Sequence, residues 1–243
     1  MLEGTKLAMT VWFRAMHLLT QGKKGLSSLE LSRRLGISYN AAWRMQQKIM
    51  QAMLERDRTY PLGAAGGHLQ IDDVYAGGES TGRGTGRGRP NQTPFIAAIE
   101  TSPDGRPLYA RLQVVIGFRR VEVERLCRQI APDTTVVSDS YQGFRAFAQP
   151  HLRHVRYVTG STRASARMPE FFWVNTVIAN VKNSLVATYR AVRPKHLPRY
   201  LGQFQWRFNR RFNLQTIVDR LAVSLASAPP MPYRLLKLAE SRW

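Results

Sequence analysis

The chain has 243 residues, enough for one sizeable hydrophobic core and a small accessory unit. With 44% hydrophobic and 10% aromatic residues it is a folded chain, and its single cysteine, Cys127, excludes an internal disulfide or a Cys-rich zinc site within it. Lys and Arg number 36 against 16 Asp and Glu, a net charge of +20 that repels itself unless a polyanion screens it. Nucleic acid is therefore the expected partner. A basic membrane-surface protein would want a long basic amphipathic helix or a lipidation signal, and neither is present. No run approaches the roughly 18 apolar residues needed to span a bilayer. The start, MLEGTKLAMTVWF, lacks a signal-peptide pattern, so a cytoplasmic, nucleoid-associated protein is expected.

In chain order, residues 1–60 show helical periodicity with little β-branched clustering. PLGAAGG at 61–67 reads as a linker, because Pro and Gly break both periodicities. Strand patterns follow in HLQIDDVYAGG, PFIAAIE and PLYARLQVVIG. Next come a helical stretch at 121–130, a buried strand at 134–138, a helix near 141–147 and a strand at 154–158. Two long helical patterns, about 172–186 and 194–211, complete a body over 68–215, and 216–243 is left as a C-terminal tail. Pattern alone predicts an α/β domain behind a small all-α domain. The order βββ-α-β-α-β-α is also that of an RNase H-like domain. Segment 79–92, ESTGRGTGRGRPNQ, predicts a mobile basic loop in which Arg83, Arg87 and Arg89 track phosphates.

Residues 27–50, SSLELSRRLGISYNAAWRMQQKIM, predict a helix-turn-helix. Ser27 or Ser28 caps a first helix that turns Leu31 and Leu35 inward. Gly36 supplies the positive φ of the corner, and Ser38 caps a second helix burying Ala42, Met45 and Ile49. Lying in a major groove, that second helix exposes Tyr39, Asn40, Arg44, Gln47 and Lys48. Asn, Gln and Arg match base edges, and Lys suits phosphate. Trp43 is assigned to the core. The competing reading is an ordinary helical hairpin with solvated polar residues.

Phosphodiester chemistry of the DDE type needs carboxylates converging on two Mg²⁺ (or Mn²⁺) ions: the first mid-strand, the second after another strand, the third on a later helix. Asp72 fits the first, since an acid among strand-forming residues is costly unless something pairs with it. Asp139, ending TTVVS, fits the second. Asp73 alternates to the opposite face from Asp72 and ranks below it. IDDVYAGG with its Gly/Arg loop, VVSDSYQGF, WVNTVIANVKNSLVATYR and RPKHLPRYLGQFQWRFNRRF together resemble the ISXO-like branch of bacterial insertion-sequence transposases, from about Lys6 to Arg211. The resemblance implies that Asp72 and Asp139 are metal ligands. It implies as substrates the terminal inverted repeats of an element and its target DNA, and as assembly at least a dimer.

The resemblance sets Asn175 at the third position, about two helical turns before Lys182, so that both point the same way. Many relatives carry Glu there and a subgroup Asn, whose carbonyl binds a cation without adding charge. Lys182, Arg207 and Arg210 are then expected to position DNA. Gln203 stands where relatives usually have Glu, and Ala187-Thr188-Tyr189-Arg190 where they have Gly-Thr-Tyr-His; the alanine is expected to strain a turn wanting positive φ. Relatives also place a Cys-rich zinc ribbon ahead of the helix-turn-helix, and this sequence starts after the point where it would end. Two readings follow: a transposase cleaving and joining DNA at element ends, or a catalytically decayed derivative that only binds DNA. Among other groups, Glu100 reads as a turn residue and Glu170 as favouring a helix dipole. His151 and His154 read as surface or DNA-contacting, His196 as a DNA contact or helix cap, and Cys127 as a small core residue.

Overall fold

The computed structural model describes residues 1–77, 92–158, 168–189 and 192–239; the Arg83, Arg87 and Arg89 loop and Arg190 lie outside them. Helices α1 (Met9–Gln21), α2 (Ser28–Leu35) and α3 (Tyr39–Arg58) open the chain. Strands β1 (His68–Ala76), β2 (Thr93–Thr101) and β3 (Pro107–Val114) follow, then α4 (Arg120–Cys127) and β4 (Thr134–Asp139). A 3-10 turn at Gln142–Phe147 leads to β5 (Leu152–Tyr157). The last helices are α5 (Phe172–Tyr189), α6 (Leu197–Asn209), α7 (Ile217–Ser227) and α8 (Tyr233–Leu238). Two compact units divide this chain: residues 60–182, and residues 1–59 together with 183–243.

The first unit is built on a five-stranded sheet in the order β3-β2-β1-β4-β5. β1, β2 and β3 pair antiparallel, while β4 and β5 run parallel to β1. A meander followed by parallel strands added on the β1 side is the RNase H-like arrangement, with β1 at the centre. Leu69, Ile71, Ile96, Ala98 and Val136 cover one face and pack with Val123 and Leu126 of α4 and with Phe144 and Phe147 of the 3-10 turn. Cys127 joins this core, 3% exposed. The stretch expected to be a free linker is tied down: Leu62 is buried and bridges to Ile130, and Gly63 lies so close to Thr134 that a Cβ would overlap it. Glu100, expected in a turn, is instead fully buried on β2, accepting from the Ala65 amide at 2.8 Å.

In the helical unit the cap chemistry of the sequence is present. Ser27 Oγ accepts from the Glu30 amide at 3.1 Å, Ser38 Oγ accepts from the Ala41 amide at 3.3 Å, and Gly36 takes φ 66°. Leu31, Ala42, Met45 and Ile49 are buried as expected, and Trp43 packs at the edge of the same core. Within the expected tail, Ile217–Ser227 and Tyr233–Leu238 form α7 and α8, whose Ile217, Leu221, Leu225 and Leu236 complete that core with Trp206. Their apolar spacing is too short per helix to stand out in sequence. Ala187 lies within α5, and the positive-φ non-glycine residues among those described are only Asp133 and Ala239, so the expected strain is absent. Helices α3 and α6 meet at Gly202, where a Cβ would sit 2.8 Å from Leu54 Cβ. Gly202→Ala is expected to cost about 1–3 kcal/mol by overpacking, read as a lower urea midpoint at unchanged slope.

Candidate active site

The site is set where β4 ends beside the middle of β1. Pairing of Ile71 with Ser138 puts the next residues, Asp72 and Asp139, side by side at the end of β4. Neighbouring strands lie roughly 4.8 Å apart, so the two acids face each other across one strand spacing. Asp139 is the last residue of its strand, and the Tyr141 amide holds its Oδ1 at 3.0 Å. On β1 the Asp73 amide donates to Asp72 Oδ1 at 2.8 Å, folding that carboxylate back along the strand.

Asp73, expected on the opposite face from Asp72, lies close to both other acids. One oxygen from each of Asp72, Asp73 and Asp139 can be chosen so that all lie within 4.8 Å of one another. Strict alternation would send Asp73 to the other face, but β4 stops at Asp139, and beyond that point the β1 edge is open for carboxylates from both faces. Three half-buried carboxylates in such a space are a hard-oxygen donor set of the kind that suits Mg²⁺ or Mn²⁺. Burial pushes Asp72 up to about 7, with the Asp73 and Asp139 charges adding to the rise and the Lys182 charge opposing it.

An aspartate raised from 3.8 to about 7 keeps its proton in the fold through a range where the unfolded chain has already released it. Its contribution to stability is intact below pH 3.8 and is lost as the pH climbs toward 7. Thermal melts of the metal-free protein are expected to show this loss between those limits. Asp72→Asn is expected to flatten it.

Helix α5 is fixed over the same face as Asp72. Gln70, two residues earlier on β1 and 2% exposed, accepts at Oε1 from the Trp173 and Val174 amides, both at 3.0 Å. It satisfies two of the orphan donors at the start of α5. Trp173 Nε1 adds a bond to the Gly105 carbonyl at 2.7 Å. Asn175 follows directly, half-buried on the first turn, and Lys182 is exposed further along the helix. Gln70 carried no signal in sequence beyond being a polar residue in a strand. His154, expected at the surface or on DNA, places its Nε2 2.9 Å from Ser138 Oγ, the residue before Asp139. Ser138 donates to the Asp139 carbonyl, so the imidazole is the donor to Ser138. Burial and Arg156 push the His154 pKa down to about 4, keeping the ring neutral.

The family model described as ISXO2-like transposase domain matches residues 64–209. The chain belongs to that family. It is thereby a transposase by descent, a protein type of mobile DNA elements, and Asp72, Asp139, Asn175 and Lys182 all fall inside the matched span. No curated protein matches the chain. A solved structure titled "Mos1 transposase paired-end complex with left transposon end" is similar at 11% identity and a TM-score of 0.35, over 93% of this chain and 80% of that one.

Several residues expected to meet DNA have other neighbours in the helical unit. Arg207 is 8% exposed, and its head group packs against Gly25 and Tyr189. Arg210 pairs with Asp57 at 2.7 Å and lies 3.3 Å from the Trp206 ring centroid. Gln203 accepts from the Tyr189 hydroxyl at 2.5 Å, so it is a packing residue of this unit. The polar stripe of α6 therefore faces inward. Gln47, expected on the exposed face of α3, is fully buried beside Tyr200 and Arg199. Tyr39, Asn40 and Arg44 remain exposed, and Lys48 donates to the Met1 carbonyl at 3.2 Å. His196 stands at the start of α6, but its side chain caps nothing.

Proposed function

We propose that this chain cleaves DNA strands at the ends of an insertion element and joins the freed 3′-OH to target DNA, with divalent metal as cofactor. The observation that carries this reading is the convergence of Asp72, Asp73 and Asp139 where β4 ends beside the middle of β1. Asp72 and Asp139 would hold the ions, two by the chemistry of this reaction class, with Asp73 and the Asn175 carbonyl completing the shell. Bound there, Mg²⁺ or Mn²⁺ supplies Lewis-acid stabilisation of the attacking and leaving oxygens.

The protein's own contribution is positional. The Tyr141 and Asp73 amides orient the two principal carboxylates, and neutral His154 steadies the strand end through Ser138. Gln70 anchors the helix that carries Asn175 and Lys182. Lys182, whose charge is felt at Asp72, would hold a phosphate beside the acids. The net charge of +20 supplies sequence-independent affinity for the inverted repeats and target, with Arg83, Arg87 and Arg89 following the backbone. Tyr39, Asn40, Arg44 and Lys48 would contact DNA from the helical unit. Acting on two ends implies a dimer or larger assembly. Among the described residues no helix is long and apolar enough to cross a membrane.

A decayed, DNA-binding derivative is the second reading, favoured by the neutral Asn175. The two separate in one assay. Labelled element ends are incubated with protein and Mg²⁺ or Mn²⁺, and 3′-OH products are resolved with and without chelator. Metal-dependent nicking is the expected result. Tight DNA binding without any nicking, persisting in Asn175→Glu, would leave only the second reading.

A further inference from the structure

The helical unit contains a cleft of about 520 Å³ between the start of α3, the segment before α6, and α8. Its lining includes the aromatic residues Tyr39, Trp43 and Tyr233 and the cationic residues Arg193, Lys195 and Lys237. No carboxylate is among the described residues that line it. The aromatic lining is organised: Trp43 meets Tyr233 edge-on at 6.5 Å and His196 edge-on at 5.9 Å. Lys195 Nζ donates to the Lys237 carbonyl at 2.8 Å, which ties the segment before α6 to the end of α8. The neighbouring imidazole of His196, pushed down to about 4 mainly by burial, stays neutral and adds no repulsion.

The size and lining suit one flat ring system with an attached anion. Ligand clefts run from about 300 to 1,000 Å³, and unpaired bases are held by aromatic stacking next to cations that follow the backbone. Tyr39 and Asn40, read from sequence as groove-facing, line a concavity here, and a concavity of this volume cannot receive a stretch of duplex. We propose that the cleft binds a single unpaired nucleotide of a DNA strand, its base against Tyr39, Trp43 and Tyr233 and its phosphate on Arg193, Lys195 and Lys237. This rests on the reading that the chain binds DNA. It adds that one element of recognition is an unstacked nucleotide held outside the acid cluster.

The test uses the full chain and a 5′-phosphorylated thymidine tetranucleotide, read by quenching of Trp43 fluorescence. A blunt duplex is followed in parallel by anisotropy, and free thymidine monophosphate is titrated separately. Quenching is expected with the tetranucleotide and is expected to vanish in Trp43→Phe. The double variant Arg193→Ala/Lys237→Ala, altering two exposed side chains, is expected to weaken the tetranucleotide by roughly tenfold. Its duplex affinity is expected to change by less than about threefold. Duplex binding without tetranucleotide binding, quenching retained in Trp43→Phe, or equal losses for both probes would overturn the cleft proposal alone. Thymidine monophosphate binding as tightly as the tetranucleotide would overturn it in favour of a free-nucleotide site. Failure of both DNA probes would overturn the DNA reading with it.

Discussion

Asp72→Asn is expected to lower metal-dependent strand cleavage by on the order of 10³-fold or more while leaving duplex affinity within about threefold. Asp72 lies on the central strand, next to Asp139 across the strand spacing and joined to the Asp73 amide, so it is the acid most surrounded by others. Replacing it keeps the shape of the site but removes one of the charges that a divalent cation would neutralise. Asp139→Asn should behave alike. Asp73→Asn should cost less, expected at roughly tenfold in apparent metal affinity, because its carboxylate reaches the cluster around the open strand edge. Conversely, Asn175→Glu adds a charge at the start of α5 and should tighten metal binding. Equal activity of Asp72→Asn and the unmodified chain in single-turnover cleavage would remove the site from consideration.

Asp57→Ala should be the most destabilising single change in the helical unit, at about 3–5 kcal/mol. Its carboxylate is 3% exposed, pairs with Arg210 at 2.7 Å, and accepts from Gln205 at 3.2 Å and Asn209 at 3.1 Å. Those three donors sit on or just after α6, so one acid near the end of α3 neutralises and organises a whole helix face. Removing it leaves the Arg210 guanidinium, 14% exposed and stacked on Trp206, without its counter-charge. Denaturant titration of the full chain would report the loss. The paired change Asp57→Leu/Arg210→Met should recover a large part of it, since a buried ion pair is costly to break but often replaceable by apolar side chains.

The parts of this fold that rest on local chemistry were legible in the sequence. Ser27, Gly36 and Ser38 mark a helix corner through caps and a left-handed residue, and all three do so in the structure. Asp72 and Asp139 stood out because acids at strand positions are expensive, and the parallel pairing of β1 with β4 brings them together. What could not be read depends on partners far away in the chain. Asp73 joins the cluster only because β4 ends where it does. Gln70 becomes a helix anchor only once α5 crosses β1. Arg207 and Arg210 look like a phosphate-binding stripe until Asp57 and Tyr189 turn that stripe inward. The expected tail became α7 and α8 because its few leucines fill a core assembled from both ends of the chain.

The acids in mid-β1 and at the end of β4 are proposed to form a divalent-metal site. Titration of the full chain with Mn²⁺, followed by electron paramagnetic resonance of the free ion, tests it most directly. Saturable Mn²⁺ uptake that competes with Mg²⁺, strengthens as the pH rises past 7, and is lost in Asp72→Asn and Asp139→Asn is the predicted result. Uptake unchanged by either substitution, or none at all in the unmodified protein, would contradict it.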